Sequence, residues 1–200
     1  MRKKIDLDVA DENLTGFASN VTGASFTITT TAASDGLAHK VSIRNDAATD
    51  HSAKTVTLVG TDPNGVALTE VVTGPGASAT VQSTGYFLTL TTATPSATIG
   101  ADTFDIGWVD EVATRMIPVD HRALNAASCS VTTTGTVNYT VQQTFNDILA
   151  STANAQAAQW SSVIGLSAEH GATAVRLITH SYLSGATLEF HINQSSGCCS

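Results

Sequence analysis

Six histidines and three cysteines are the side chains of this 200-residue chain best suited to holding a metal or attacking an electrophile. His180 and His191 fall on two successive alternating runs, and Glu189 shares the alternation face of His191. Two imidazoles and a carboxylate are a ligand set for a divalent metal. The same three side chains also suit a solvated sheet face, and no Cys-x-x-Cys or His-Glu-x-x-His spacing supports a metal. His39 and His51 have no second ligand at a short spacing. For nucleophilic catalysis there is no Gly-x-Ser-x-Gly turn, and no cysteine sits in a sequence context that pairs it with a histidine. Gly74-Pro75-Gly76 lacks the Gly-Lys-Ser/Thr that holds phosphates, and Asp62-Pro63-Asn64-Gly65 lacks the distal glutamate of a calcium loop. The expectation is no catalytic residue, no metal site and no cofactor.

Two other groups carry more information. Cys129 falls in an alternating run and is expected as a small core residue, whereas Cys198 and Cys199 close the polar stretch Ser195–Ser200. Adjacent cysteines bond to each other only with strain, so these two are candidates for an intermolecular disulfide to a neighbouring subunit in an oxidising setting. Arg2, Lys3 and Lys4 cluster on a chain with 17 acidic residues against 9 Lys and Arg, and form a candidate docking arm for an acidic neighbour.

The elements that must position these residues are strands. Only 13% of residues are charged, while 31 Thr and 19 Ser are spread along the chain. Ser25–Thr29 and Lys54–Val59 alternate hydroxyl with apolar residues, which puts Thr on one sheet face and aliphatics on the other. Thr is β-branched, so the polar face favours extended backbone as well. Thr61-Asp62-Pro63-Asn64-Gly65 predicts a hairpin turn between Val56–Gly60 and Val66–Val72. Further strands are expected at His39–Ile43, Ala79–Ser83, Tyr86–Thr92, Thr103–Val109, Ser128–Thr133 and Thr136–Gln143. Ala174–Tyr182 and Ala186–Asn193 are expected to form a closing hairpin over Leu183-Ser184-Gly185, and Ala153–Trp160 a helical turn. The fold class is all-β: two tandem antiparallel sandwich-like domains, 21–112 and 128–194, joined by a junction at 113–127. A polar N-terminal arm at 1–20, whose alternating patch Ile5-Asp6-Leu7-Asp8-Val9 could add as an edge strand, and a cysteine-bearing tail at 195–200 complete the expected layout. No run of about 18 apolar residues suggests a membrane span, and past Lys54 only Arg115, Arg122 and Arg176 are basic, too few for a phosphate track. The basic start is followed by Ile5–Glu12 rather than an apolar core, so no secretory signal is expected.

Two segments also resemble modules of tailed-bacteriophage structural proteins. The first is Thr57-Leu58-Val59-Gly60-Thr61-Asp62-Pro63-Asn64-Gly65 running on to Thr69-Glu70-Val71-Val72-Thr73-Gly74-Pro75, followed by Ser83–Thr92. The second is Val141-Gln142-Gln143-Thr144-Phe145-Asn146-Asp147, then Trp160, then Ala174–Gln194. Together they cover roughly residues 55–194. The resemblance implies a virion component that decorates the capsid or sits at the neck, collar or tail, with no catalytic residues. Its partners would be other virion proteins and copies of itself, with no nucleic acid and no membrane, and it would be made in the bacterial host cytoplasm. The Cys198-Cys199 pair is not part of the pattern.

The competing expectation is a receptor- or glycan-binding tail or surface module. Sugars stack on exposed aromatics, and the candidates are Tyr86, Trp108, Tyr139, Trp160 and Tyr182.

Overall fold

A computed structural model describes residues 1–120, 126–147, 159–163, 167–169 and 171–194. The protein is all-β, as its alternation predicts, and no helix occurs among the described residues. In chain order the first strands are β1 (Arg2–Asp8), β2 (Asn13–Val21), β3 (Ala38–Asn45), β4 (Thr55–Thr61) and β5 (Ala67–Thr73). Then come β6 (Thr80–Phe87), β7 (Thr89–Pro95), β8 (Phe104–Ala113), β9 (Ile117–Pro118) and β10 (Ser128–Thr134). The last are β11 (Val137–Thr144), β12 (Ser161–Ser162), β13 (Ala174–Tyr182) and β14 (Thr187–Asn193). The chain divides into two compact units, Ala10–Val112 and the discontinuous Met1–Val9 with Ala113–Ser200.

In the unit Ala10–Val112, β5-β4-β7 form one antiparallel sheet, and β8-β3-β6 with β2 on β8 form another. Apolar side chains of both enter one core: Val41, Ile43, Phe87, Phe104, Ile106 and Trp108 from one, Val56, Leu58, Val72, Leu90 and Ala93 from the other. Thr55–Thr61 shows why alternation works: Val56, Leu58 and Gly60 are buried while the residues between them are half-buried. The predicted β4–β5 hairpin forms. Asp62 accepts the Asn64 and Val66 N–H groups at 2.8 and 2.9 Å, and Gly65 adopts φ of 78°, a left-handed value that glycine takes without a Cβ clash.

Three expectations are corrected here. Ser25–Thr29 is not a strand: only Phe26 makes a bridge, to Ala93, while Thr29 and Thr30 both donate to the Phe17 carbonyl. One buried aromatic ring holds the segment, so a two-residue alternation there reads as a strand without being one. Residues 1–20 are not a single arm: the expected edge strand at Ile5–Val9 forms as part of β1, which starts earlier and pairs along its length with β14, and β2 pairs irregularly with β8. Leu7 and Val9 are buried, and that apolar anchorage draws the segment into a sheet. Finally, β13 and β14 do not pair with each other. β14 lies between β1 and β10, whereas β13 pairs with β11 and β9. Leu183–Ala186 therefore arches from one sheet to another, with Gly185 at φ 76°. Both strands bury one full face: Val175, Leu177 and Thr179 on β13, Leu188, Phe190 and Ile192 on β14. A flat hairpin would have left those faces side by side; the arch lets both reach the interior. Of Ala153–Trp160 only the last two residues are described.

Candidate interaction surface

The sheet β1-β14-β10 carries the predicted docking residues. Along β1 the side chains alternate: Lys3, Ile5 and Leu7 turn toward the interior, while Arg2, Lys4, Asp6 and Asp8 are exposed. The register places Arg2 beside Asn193, Lys4 beside His191, Asp6 beside Glu189 and Asp8 beside Thr187. On the other side of β14, Ser128, Ser130, Thr132 and Thr134 continue the same rows. The outer face thus runs from cationic at the Arg2 end to anionic at the Asp8 end, with hydroxyls beside both.

Charge pairs hold its centre. Lys4 Nζ lies 2.8 Å from Asp6 Oδ1 and 2.7 Å from Glu189 Oε1, and His191 Nε2 lies 3.3 Å from Glu189 Oε2. The hydrogen bonds to Asp6 and Glu189 raise the Lys4 ammonium above its ordinary value, and Lys4 in turn holds the Glu189 carboxyl below its own. These pairs are exposed, so solvent and salt screen them strongly. Arg2, Lys3 and Asp8 have no ion-pair partner among the described residues. Met1, Arg2, Lys3 and Lys4 also line a shallow groove of about 1020 Å³ with Ser128, His191 and Asn193.

The His180, His191 and Glu189 grouping does not assemble, because β13 and β14 lie in different sheets. His180 meets Thr140 Oγ1 at 2.8 Å instead. Among the described residues no three His, Cys, Asp or Glu side chains converge as a metal site. Cys129 is buried against Ile192 in the register, and burial, partly offset by the Ala168 N–H, pushes its thiol up to about 11. It should stay unlabelled by iodoacetamide at pH 8 in the folded protein and react in denaturant, as peptide mapping would show. Labelling in the native state would contradict its burial. Cys198 and Cys199 lie outside the described residues.

Two buried histidines missed as functional candidates turn out to be structural latches. His39 is fully buried, with Nδ1 3.0 Å from the Val109 carbonyl and Nε2 2.9 Å from Asp35 Oδ2, so both ring nitrogens are placed to donate. Burial works against ionising Asp35, but His39 and the Ala10 and Leu37 N–H groups outweigh it and hold the carboxyl below its ordinary value. His51 lies between Lys54 Nζ and Asp102 Oδ2, each at 2.9 Å, with its ring edge-on to Phe104. Lys54 can only donate, so Nδ1 accepts and Nε2–H donates to Asp102. Asp35 four residues before His39, and Lys54 three after His51, were the only local signals.

The aromatics sort by burial. Trp108 is buried edge-on to Phe17 and donates its indole N–H to the Asp11 carbonyl at 3.0 Å; Tyr182 is buried too. Tyr86 and Tyr139 are half-buried, and Lys40 Nζ lies 5.6 Å from the Tyr86 ring. Trp160 is half-buried with the Arg176 guanidinium 4.2 Å from its ring centre. Comparison of the chain with protein-family models, with curated proteins and with solved structures returned no match.

Proposed function

We propose that this protein is a non-enzymatic structural component of a tailed-phage virion, at the capsid surface or the neck and collar, that assembles by symmetric contacts with copies of itself and with other virion proteins. The observation that carries the reading is the order of the two resembling segments, one in each compact unit. Thr57–Pro75 makes the β4–β5 hairpin and its exit, and Ala174–Gln194 makes β13 and β14. The chemistry of the surface agrees. Hydroxyl and charged side chains alternate outward from sheets whose edges offer backbone groups to a neighbour. Low affinity at each contact suffices when a symmetric lattice repeats it.

The test is proteomic analysis of density-purified phage particles from the host culture, with immunogold labelling to place the protein. Stoichiometric presence at a fixed position is the expected result; exclusion from the particles overturns the reading. Non-reducing gels of the same particles test the Cys198 and Cys199 clamp: a ladder that collapses with reductant is expected, and monomer alone removes the disulfide.

The glycan-binding reading draws on Trp160, whose ring sits beside Arg176 and, through Arg176 Nε at 2.9 Å, Gln142. Glycan-array binding lost in Trp160→Ala without loss of folding would favour it.

A further inference from the structure

The outer edge of β1 carries basic residues at one end and acidic residues at the other. In the sheet order β1-β14-β10, β1 is terminal, and among the described residues its backbone pairs along one side only. Which backbone groups face outward follows from its first pair. Met1 N donates to the Gln194 carbonyl, and Gln194 N donates back to the Met1 carbonyl at 2.8 Å. Residues opposite each other in an antiparallel ladder alternate between exchanging both bonds and exchanging none. Odd-numbered residues of β1 therefore face β14, and the N–H and C=O of Arg2, Lys4, Asp6 and Asp8 point away from the sheet.

The sequence of this strand is Arg2-Lys3-Lys4-Ile5-Asp6-Leu7-Asp8. Turned antiparallel on a second copy about Ile5, it sets Arg2 opposite Asp8, Lys4 opposite Asp6, Lys3 opposite Leu7 and Ile5 opposite Ile5. All four outward-pointing residues then exchange backbone bonds with a residue of opposite charge. Ile5, half-buried on the inner face, meets its own copy at a close, non-bonded position and extends the apolar layer across the junction. Other alignments fail. A slip of two residues either way brings Lys4 onto Lys4 or Asp6 onto Asp6, and in-register parallel pairing sets every charge against its like.

We infer that β1 is an isologous dimerisation edge whose partner is β1 of a second copy of this chain, with the two-fold axis at Ile5. Lysines and aspartates on an edge strand ordinarily ward off foreign strands. Here their antisymmetric order admits one partner and one register, which is specificity by exclusion of the rest. The edges β5, β7 and β10 lack this property. Self-pairing of β5 about its centre would oppose Glu70 to Glu70. Glu70 is moreover engaged by the Thr84 and Gly85 N–H groups of β6, at 2.6 and 2.8 Å. β7 is bridged by Phe26 and ends in Pro95, and β10 has no charged residue.

The inference specifies the self-association assumed by the virion reading but rests on strand geometry alone. A chain that dimerises this way yet joins no particle keeps the inference and overturns the proposed function. The test uses the full chain under reducing conditions, with sedimentation velocity over a concentration series. Arg2→Asp and Asp8→Arg replace exposed residues that have no ion-pair partner among the described residues. Each is expected to weaken dimerisation about tenfold or more, because like charges then face one another on both sides of the axis. Mixing the two variants restores complementarity and should recover the dimer as a heterodimer. A second probe is Ile5→Cys in a chain also carrying Cys198→Ser and Cys199→Ser. Opposed α-carbons at such a site lie about 4.5 Å apart, within disulfide reach, so a covalent dimer should form on mild oxidation. A wild-type chain that remains monomeric up to millimolar concentration overturns the inference. So do single variants that dimerise like the wild type, or a mixture that stays monomeric.

Discussion

Replacing Gly60 by alanine will unfold the unit Ala10–Val112 or cost it at least about 3 kcal/mol. Gly60 lies on β4 opposite Leu90 of β7, beside the register shift that follows Val59. A β-carbon there would be driven into the Thr89 carbonyl group and would lie 3.1 Å from Leu90 Cα. These are backbone atoms, so no rotamer change relieves the clash, and the β4–β7 ladder must part. Gly65 is the control. Its left-handed φ makes alanine strained, at about 1 kcal/mol, but nothing lies within 4 Å of the added carbon. Urea titration in a Trp160→Phe background leaves Trp108 as the sole tryptophan and reports on this unit. Equal midpoints for Gly60→Ala and Gly65→Ala would show that β4 and β7 are not held this closely.

Asp35→Ala should cost about 3 kcal/mol in the same assay. The side chain is 3% exposed, and its two oxygens receive His39 Nε2, the Ala10 N–H and the Leu37 N–H within 2.9 Å. Removing it takes the acceptor from the buried His39 Nε2 and from the half-buried Ala10 and Leu37 N–H groups, and the cost falls mainly on the buried imidazole. Asp35→Asn retains one acceptor oxygen and should cost less. Acid dependence follows from the same pair. The folded carboxyl lies below its ordinary value of 3.8, so the native state binds fewer protons than the unfolded chain around that pH. Its contribution is complete above 3.8 and drains away as pH falls through the lower folded value. Asp105 contributes in the same direction: burial opposes its ionisation, but the Asn20 N–H and Arg44, with Nη2 2.6 Å away, hold it low. Asp110 works against them, since burial raises it. Stability measured from pH 5 to pH 2 should fall less steeply in Asp35→Asn than in the parent. Parallel curves would mean that Asp35 is not ionised in the fold.

Legible in the sequence were the strands that alternate because one face is buried, Thr55–Thr61 and Thr187–Asn193, the apolar strands β3, β8 and β13, and the turn at Asp62–Gly65 that closes β4 onto β5. Pairing was not legible. Local pattern says that β13 and β14 are strands but not that each needs its own sheet, since Leu183-Ser184-Gly185 suits a hairpin and an arch alike. Asn13–Val21 escaped notice because its ladder with β8 is broken at two places, which erases the period of two. The latches at His39 and His51 join residues whose roles depend on burial, a property that short spacing does not encode. The charges of β1 were visible as a cluster of Arg2, Lys3 and Lys4. Ile5–Val9 also read as an edge strand, but the order of the charges relative to Asp6 and Asp8 acquired meaning only with the register on β14, which shows which backbone groups face outward.

β14 sits between β1 and β10, so the hydrogen bond from Lys4 to Glu189 spans 185 positions. β1 can therefore meet its partner only after the residues between it and β14 have been made. Long-range pairing of this kind forms slowly. The rim of that sheet is therefore expected to close late in folding, and a β1 still waiting for β14 has both of its edges open to other strands.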